Sequence, residues 1–189
     1  MDNKLNIIST MFSDLYIIEP NIFKDERGSF SRIYCEYELQ DIFGKNIKQI
    51  NHSITKEKGT VRGLHFQYEP NVEIKMVKCI RGGVLDVVVD IRKNSPTFLK
   101  YFSVELTQEN QKMIYIPKGF AHGFQTLQDN TELLYLHSSI YAPSNEDLLN
   151  IKDPILSIKW PLDIVNLSKR DETCDFLDNT FEGIIINEL

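Results

Sequence analysis

Two β-strand signals lie in the middle of the chain, in the stretch KMVKCIRGGVLDVVVDI at residues 75–91. Apolar side chains dominate residues 75–80 and 84–91, and the Arg81-Gly82-Gly83 between them is typical of a turn. Similar short runs, each followed by turn-forming residues, occupy residues 101–106, 112–116, 121–127 and 132–137. Strands of this length and spacing predict an all-β sandwich or closed barrel rather than alternating strands and helices.

Helix signals are few. Residues 37–43 predict a short peripheral helix, with Glu38 on its wet side and Gly44 as its stop. The chain has 189 residues and no linker or repeat, which favours one domain over residues 1–189. We expect a barrel core over about residues 45–142 and a C-terminal segment, residues 143–189, that wraps the barrel.

Charge and cysteine content exclude several classes of protein. The formal net charge is −6 and the sequence pI is about 5.3, which argues against a broad surface for nucleic acid. The three cysteines form no C-x-x-C pair, and a reducing cytoplasm is the simplest location. No apolar run is long enough to span a bilayer, and we see no signal peptide, so we expect no membrane partner.

Four histidines in a small β-barrel raise the question of a metal site. Such a site usually includes a close His pair, and the sequence contains no H-x-H. His65 and His122 could converge in space, but nothing in their spacing requires it. We therefore expect no metal ligands and no cofactor.

The run VRGLHFQ at residues 61–67 is the most informative local motif. On a regular strand, Arg62 and His65 face opposite sides. Gly63 weakens such a strand and is typical of close approach by a ligand or another backbone. From this segment alone, an edge strand with a hydrogen-bonded histidine is the simpler interpretation.

Four other polar residues are weak signals when each is taken alone. Lys75 begins an apolar strand, where a lysine is usually solvated. Tyr135 lies in an apolar run, where a buried core tyrosine is the default. Asp171 and Arg27 lie in polar stretches that are typical of a loop and a turn.

Taken together, the motifs resemble the dTDP-4-dehydrorhamnose 3,5-epimerase family over about residues 16–181. The motifs that carry the resemblance are DERG at 25–28, Gln49 with NHS at 51–53, RGLHFQ at 62–67, DIR at 90–92, SPTF at 95–98, IPKGFAHGF at 116–124, DP at 153–154 and WP at 160–161. The resemblance implies a cupin-like jelly-roll barrel that is normally a homodimer and works without a metal. It also implies a place in dTDP-rhamnose and lipopolysaccharide or O-antigen biosynthesis.

The implied reaction inverts carbons beside the ketone of a nucleotide-diphosphate 4-keto-6-deoxy sugar. A base removes the proton α to the carbonyl, an enolate forms, and an acid returns a proton on the opposite face. A cation beside the ketone oxygen favours the enolate. The resemblance matches His65 to the base, Asp171 to its carboxylate partner, Lys75 to the cation and Tyr135 to the acid.

The resemblance also implies a set of substrate contacts. Arginine suits the diphosphate, because its planar donor fork matches phosphate oxygens. The matched residues are Arg27 and Arg62 for the diphosphate, Gln49 and Asn51 for the nucleotide, Phe23 and Phe30 for stacking on the base, Glu146 for enclosing the sugar nucleotide, and His122 as a structural or supporting residue rather than the base.

Three positions depart from the family pattern. Arg32 replaces a Glu on the base side, which weakens an assignment to thymine. Leu136-His137 follow Tyr135 where a Lys is usual, and His137 is either a substrate contact or a surface residue. Asp147 replaces the usual Gly after Glu146. Several alternatives therefore stay open: epimerisation at carbon 3, at carbon 5 or at both; a CDP-linked or GDP-linked substrate; a cupin-like metal oxygenase; and a sugar-nucleotide-binding barrel without catalysis.

Overall fold

The computed structural model describes residues 3–43, 47–178 and 180–186 of the chain. Within these ranges it contains thirteen strands and two short helices. The helices are α1 (Glu36–Phe43) and α2 (Lys169–Glu172). The strands are β1 (Leu5–Ser9), β2 (Tyr16–Pro20), β3 (Phe23–Asp25), β4 (Gly28–Phe30), β5 (Gln49–Thr55), β6 (Val61–Gln67), β7 (Lys75–Arg81), β8 (Gly83–Asp90), β9 (Tyr101–Thr107), β10 (Met113–Ile116), β11 (Phe120–Thr126), β12 (Thr131–His137) and β13 (Glu146–Leu148).

Two antiparallel sheets face each other across the main apolar core. The six-stranded sheet has the order β1-β2-β10-β7-β12-β5, and the five-stranded sheet has the order β13-β6-β11-β8-β9. Val77 and Ile114 from the first sheet pack with Val88 and Phe124 from the second, and all four are buried. This is the packing of a sandwich or jelly-roll barrel, and it confirms the predicted all-β fold class.

The six strands predicted from residues 75–137 are confirmed, and each end differs by at most one residue. The predicted helix is confirmed as α1, while its predicted stop, Gly44, lies outside the described residues. The prediction that Glu38 faces solvent is wrong, because its side chain is buried and accepts from backbone N–H groups at the start of β1. β1 to β5 and β13 were not predicted as strands. β3 and β4 are only three residues long and exposed, so they carry no apolar pattern that would identify them.

Outer layers cover both sheets. Leu39 and Phe43 of α1 pack against Met76, Met113 and Leu136 on the outer face of the six-stranded sheet. The C-terminal segment supplies Leu149, Ile151 and Leu156 to a separate buried cluster with residues of the five-stranded sheet. Within the same segment, α2 contacts β6.

A buried carboxylate closes the turn after β8. The Asp90 side chain is fully buried and accepts hydrogen bonds from Arg92 Nε at 3.0 Å and Nη2 at 2.8 Å. It also accepts from the hydroxyls of Ser95 and Thr97, each at 2.6 Å. Burial acts to raise the pKa of Asp90, but these hydrogen bonds outweigh it and hold the pKa below its ordinary value.

We expect Asp90→Asn to lower the free energy of unfolding at pH 7 by about 3 kcal/mol, because it removes the buried charge that accepts the hydrogen bonds of Arg92, Ser95 and Thr97. The depressed pKa means that the carboxylate stabilises the fold above about pH 4 and that this stabilisation is lost as pH falls through the folded-state pKa. Urea denaturation at pH 7 and pH 3 measures both effects. If the free energies of unfolding of the wild type and Asp90→Asn differ by the same amount at both pH values, this account is contradicted.

Candidate active site

A cavity of about 720 Å³ lies between the two sheets and the segment before α2. A second cavity of about 320 Å³ shares several of its lining residues, among them Lys75 and His137. The polar side chains of the larger cavity come from both sheets and from the C-terminal segment. The polar lining residues are Asn51, His52, Ser53, Thr60, Arg62, His65, Lys75, His122, Tyr135, His137, Asn166, Ser168 and Asp171.

His65 and Asp171 form a direct hydrogen-bonded couple, with 2.8 Å between Nε2 and Oδ1. An ionised carboxylate only accepts, so Nε2 donates and the lone pair of the neutral imidazole is on Nδ1. Burial acts to raise the pKa of Asp171, but hydrogen bonds from His65 and Ser168 outweigh it and lower the pKa. Ser168 caps α2 by accepting from the Asp171 backbone N–H, which orders the backbone that carries this carboxylate.

A bulge in β6 places Arg62 and His65 on the same cavity, so the prediction that they face opposite sides is wrong. His65 pairs with His122, and Arg62 pairs with Phe124, so two residues of β6 oppose one residue of β11. The edge-strand interpretation is also wrong, because β6 lies between β13 and β11.

The bulge depends on a close contact between two glycines. Gly63 has a φ of +110°, and a Cβ on it would lie 2.5 Å from the backbone oxygen of His122. A Cβ on Gly123 would lie 2.6 Å from the backbone oxygen of Arg62. Both strands therefore need glycine at this point. The close approach expected at Gly63 is made by the backbone of β11.

Tyr135 and Lys75 project from the six-stranded sheet, across the cavity from β6. The Tyr135 hydroxyl lies 3.2 Å from Ser53 Oγ, and burial raises the pKa of the phenol. Lys75 is largely buried rather than solvated, and its Nζ lies 3.1 Å from Glu73 Oε1. The predicted base and the predicted acid thus approach one cavity from different sheets.

Most of the predicted binding residues lie around the two cavities. Arg62 Nε donates to Thr55 Oγ1 at 3.1 Å. His122 is buried and bonds through Nε2 to the Asp86 carboxylate at 2.9 Å. Gln49, Asn51 and Glu146 line the smaller cavity.

Four predicted contacts lie elsewhere in the chain. Phe23, Arg27 and Phe30 are on the exposed β3–β4 hairpin, and Arg27 pairs with Asp25 of the same hairpin. Arg32 pairs with Glu38 of α1. None of the four lines the cavities that hold His65, and their substrate roles stay predictions.

Sequence reasoning missed Glu73, Tyr141 and Arg170, and it left His137 open. His137 is buried, so the surface interpretation is wrong. It follows Tyr135 by two positions on β12, and this spacing on a strand could have placed it on the same face. Tyr141 OH donates to Glu146 Oε2 at 3.1 Å, and Arg170 pairs with the same carboxylate from 24 positions further along the chain, a separation that no local pattern signals.

The described residues were also searched for metal clusters and membrane spans. Within residues 3–43, 47–178 and 180–186, no three His, Cys, Asp or Glu side chains are arranged to hold a metal ion. Over the same ranges, no helix combines the length and the apolar character needed to cross a bilayer.

The fold and the cavity define a class, a jelly-roll barrel with a His–Asp couple and a tyrosine facing one pocket. A family model described as dTDP-4-dehydrorhamnose 3,5-epimerase matches residues 9–179. The chain is also 42% identical to the Salmonella typhimurium enzyme of that name, over 91% of this chain and 95% of the relative. The chain therefore belongs to the dTDP-4-dehydrorhamnose 3,5-epimerase family, as its motifs indicated, and is an epimerase.

Solved structures agree with this assignment. An epimerase from Legionella pneumophila, in complex with dTDP-4-keto-L-rhamnose, has a TM-score of 0.89 and 37% identity, with 97% of this chain and 100% of that chain covered. A 3′-monoepimerase from Streptomyces bikiniensis, in complex with dTDP-quinovose, has a TM-score of 0.84 and 35% identity, with 89% and 86% covered.

We expect His65→Ala to raise the pKa of Asp171, because burial then acts on the carboxylate without the opposing hydrogen bond from the imidazole. Carboxyl ¹³C NMR titration of aspartate-labelled protein measures the shift. Asp25 is an internal control, since Arg27 sets its pKa on the separate hairpin. An Asp171 signal that titrates identically in both proteins would contradict the proposed coupling.

Proposed function

We propose that this chain converts dTDP-4-keto-6-deoxyglucose to dTDP-4-dehydrorhamnose by inverting carbons 3 and 5 through enolates. The observation that carries the proposal is the placement of a His–Asp couple and a partly buried tyrosine on opposite walls of one cavity. Such an arrangement can remove a proton from one face of a sugar ring and return one to the other. Family membership supports the same reaction.

His65 acts as the base. Its Nε2–H is held by Asp171, so Nδ1 takes the proton from the carbon beside the ketone. The electron pair of the broken C–H bond forms a double bond to the carbonyl carbon, and the carbonyl oxygen takes the negative charge of the enolate. Asp171 stabilises the imidazolium that forms and fixes the orientation of the ring.

Lys75 stabilises the enolate oxygen. Its ammonium is largely desolvated and lies at the cavity, where the dielectric is lower and a fixed positive charge acts more strongly than in water. Arg62 lines the same cavity and supplies the cation for the diphosphate. Together they give a net-acidic protein a local site for an anionic substrate.

Tyr135 returns the proton on the opposite face. Burial raises its pKa, so the phenol is fully protonated at neutral pH and is a competent donor to the enolate carbon. Two inversions use this acid twice for each substrate molecule. Ser53, within hydrogen-bond distance of the phenol, is the neighbour that can pass a proton back to the phenolate.

Proton NMR in D₂O with dTDP-4-keto-6-deoxyglucose tests the function. Loss of the signals of both carbons 3 and 5, with formation of the rhamno product, supports double epimerisation. Loss at carbon 3 alone supports the second candidate, a 3-epimerase, which the likeness to the Streptomyces bikiniensis monoepimerase favours. A parallel CDP-linked sample tests the nucleobase. Substrate binding without exchange would contradict both candidates.

We expect His65→Ala to reduce exchange at both carbons by about 10³-fold, since one general base serves both inversions. Tyr135→Phe is the matched variant from the opposite wall. It retains proton removal and same-face exchange, while inverted product falls. If Tyr135→Phe forms inverted product at the wild-type rate, the proposed role of Tyr135 as the acid is contradicted.

We also propose a homodimer in which the β3–β4 hairpin reaches the cavity of the partner. Phe23, Arg27 and Phe30 match substrate contacts of the family, yet on their own chain they are exposed and away from the cavity. A dimer that exchanges the hairpin reconciles these facts. A cytoplasmic location and a role in rhamnose supply for O-antigen belong to the same proposal.

Mixed dimers test the exchange. His65→Ala and Arg27→Ala chains are each expected to be inactive alone. After unfolding and refolding together at equal amounts, about a quarter of the sites gain both an intact His65 and an intact Arg27 from the partner. Recovery of about a quarter of wild-type activity is expected. No recovery, or a monomer in sedimentation, would contradict the exchange.

A further inference from the structure

One buried carboxylate beside the cavity serves two partners. Glu73 Oε1 lies 3.1 Å from the Lys75 ammonium, and Glu73 Oε2 lies 2.7 Å from His137 Nδ1. The side chains of Glu73 and His137 are each about one tenth exposed. His137 also stacks on Tyr135, with 6.0 Å between ring centroids. His137 is therefore linked to the cation of the site and packs against the acid.

A chain of hydrogen bonds fixes the protonation of His137. The Tyr141 backbone N–H can only donate, and it donates to Gln49 Oε1 at 3.0 Å. Gln49 Nε2 therefore donates to Asn51 Oδ1 at 3.0 Å, which turns Asn51 Nδ2 towards His137 Nε2 at 3.3 Å. Nε2 of His137 must accept, so Nδ1 carries the proton and donates it to Glu73.

We propose that His137 is a positioning residue for Lys75, acting by occupying one oxygen of Glu73. This inference rests on the proposed function, in which Lys75 stabilises the enolate. The carboxylate is ionised, since the hydrogen bond from His137 and the charge of Lys75 outweigh burial and lower its pKa. With Oε2 held by His137, Glu73 offers Lys75 a single oxygen.

Loss of the His137 Nδ1 donor changes how Glu73 divides its two oxygens between its partners. The freed carboxylate can turn both oxygens to Lys75, and such two-point contacts between ions are stronger than one-point contacts. The ammonium is then drawn towards Glu73 and away from the ketone oxygen. The chemical step slows, whereas substrate affinity, which depends largely on the diphosphate and nucleotide contacts, changes little.

Two substitutions separate the contacts of His137. An asparagine amide occupies the place of Nδ1, so His137→Asn keeps the hydrogen bond to Glu73 and loses the one to Asn51. A glutamine amide occupies the place of Nε2, so His137→Gln keeps the contact with Asn51 and frees Glu73. Glu132→Gln is the control, because Glu132 lies on the same strand as His137, has its own histidine partner, His52, and lines neither cavity.

Deuterium exchange at saturating substrate gives the first readout. We expect His137→Gln to lower kcat by about tenfold or more with KM within about threefold, the scale of a misplaced oxyanion donor. His137→Asn and Glu132→Gln stay within about threefold of wild type. Equal losses in the two His137 variants, or no loss in either, would overturn the positioning role. Thermal melting identifies any variant that loses activity through unfolding.

The NMR signal of Lys75 Cε gives a readout that needs no turnover. In lysine-labelled protein, with Lys75→Arg to assign the signal, we expect it to move in His137→Gln and to stay in His137→Asn. If the wild-type protein exchanges no proton but the signal moves as described, the proposed function fails and the Glu73 contact stands. If the wild type is active and the signal is unmoved in His137→Gln, the inference fails alone.

Discussion

The close contact between the backbones of β6 and β11 is the constraint on which the site depends. Glycines at 63 and 123 let the two strands approach within the space that side chains would fill, and the bulge brings Arg62 onto the same side as His65. Without this irregularity the cation proposed for the diphosphate and the proposed base would lie on opposite faces of the sheet. A local steric condition thus sets the geometry of a site that spans two sheets.

Much of the fold could be predicted from sequence, and the reason is burial. β7, β8 and β12 are strands with apolar runs and sharp turns, so their limits follow from local pattern. The exposed hairpin has no such pattern and pairs only within itself, and β13 takes its form from pairing with the distant strand β6. The bulge also escaped prediction, because regular alternation is a rule for strands without an inserted residue.

The residues of the candidate site also fall into those that the sequence predicted and those that it did not. Motif resemblance found His65, Lys75, Tyr135 and Asp171, and the structure brings all four to one cavity. It missed Glu73, which acts through contacts to Lys75 and His137 that only the folded chain creates. Functional groups that touch substrate leave a sequence signature, whereas the groups that orient them are chosen by packing and hydrogen bonding.

The couple between His65 and Asp171 joins residues 106 positions apart in the chain. During synthesis, β6 leaves the ribosome long before the segment that carries its carboxylate partner. A nascent chain can therefore form much of the barrel while its imidazole still lacks the group that orients it. Under the proposed mechanism, catalytic competence therefore follows the docking of the wrapping segment rather than the formation of the barrel alone.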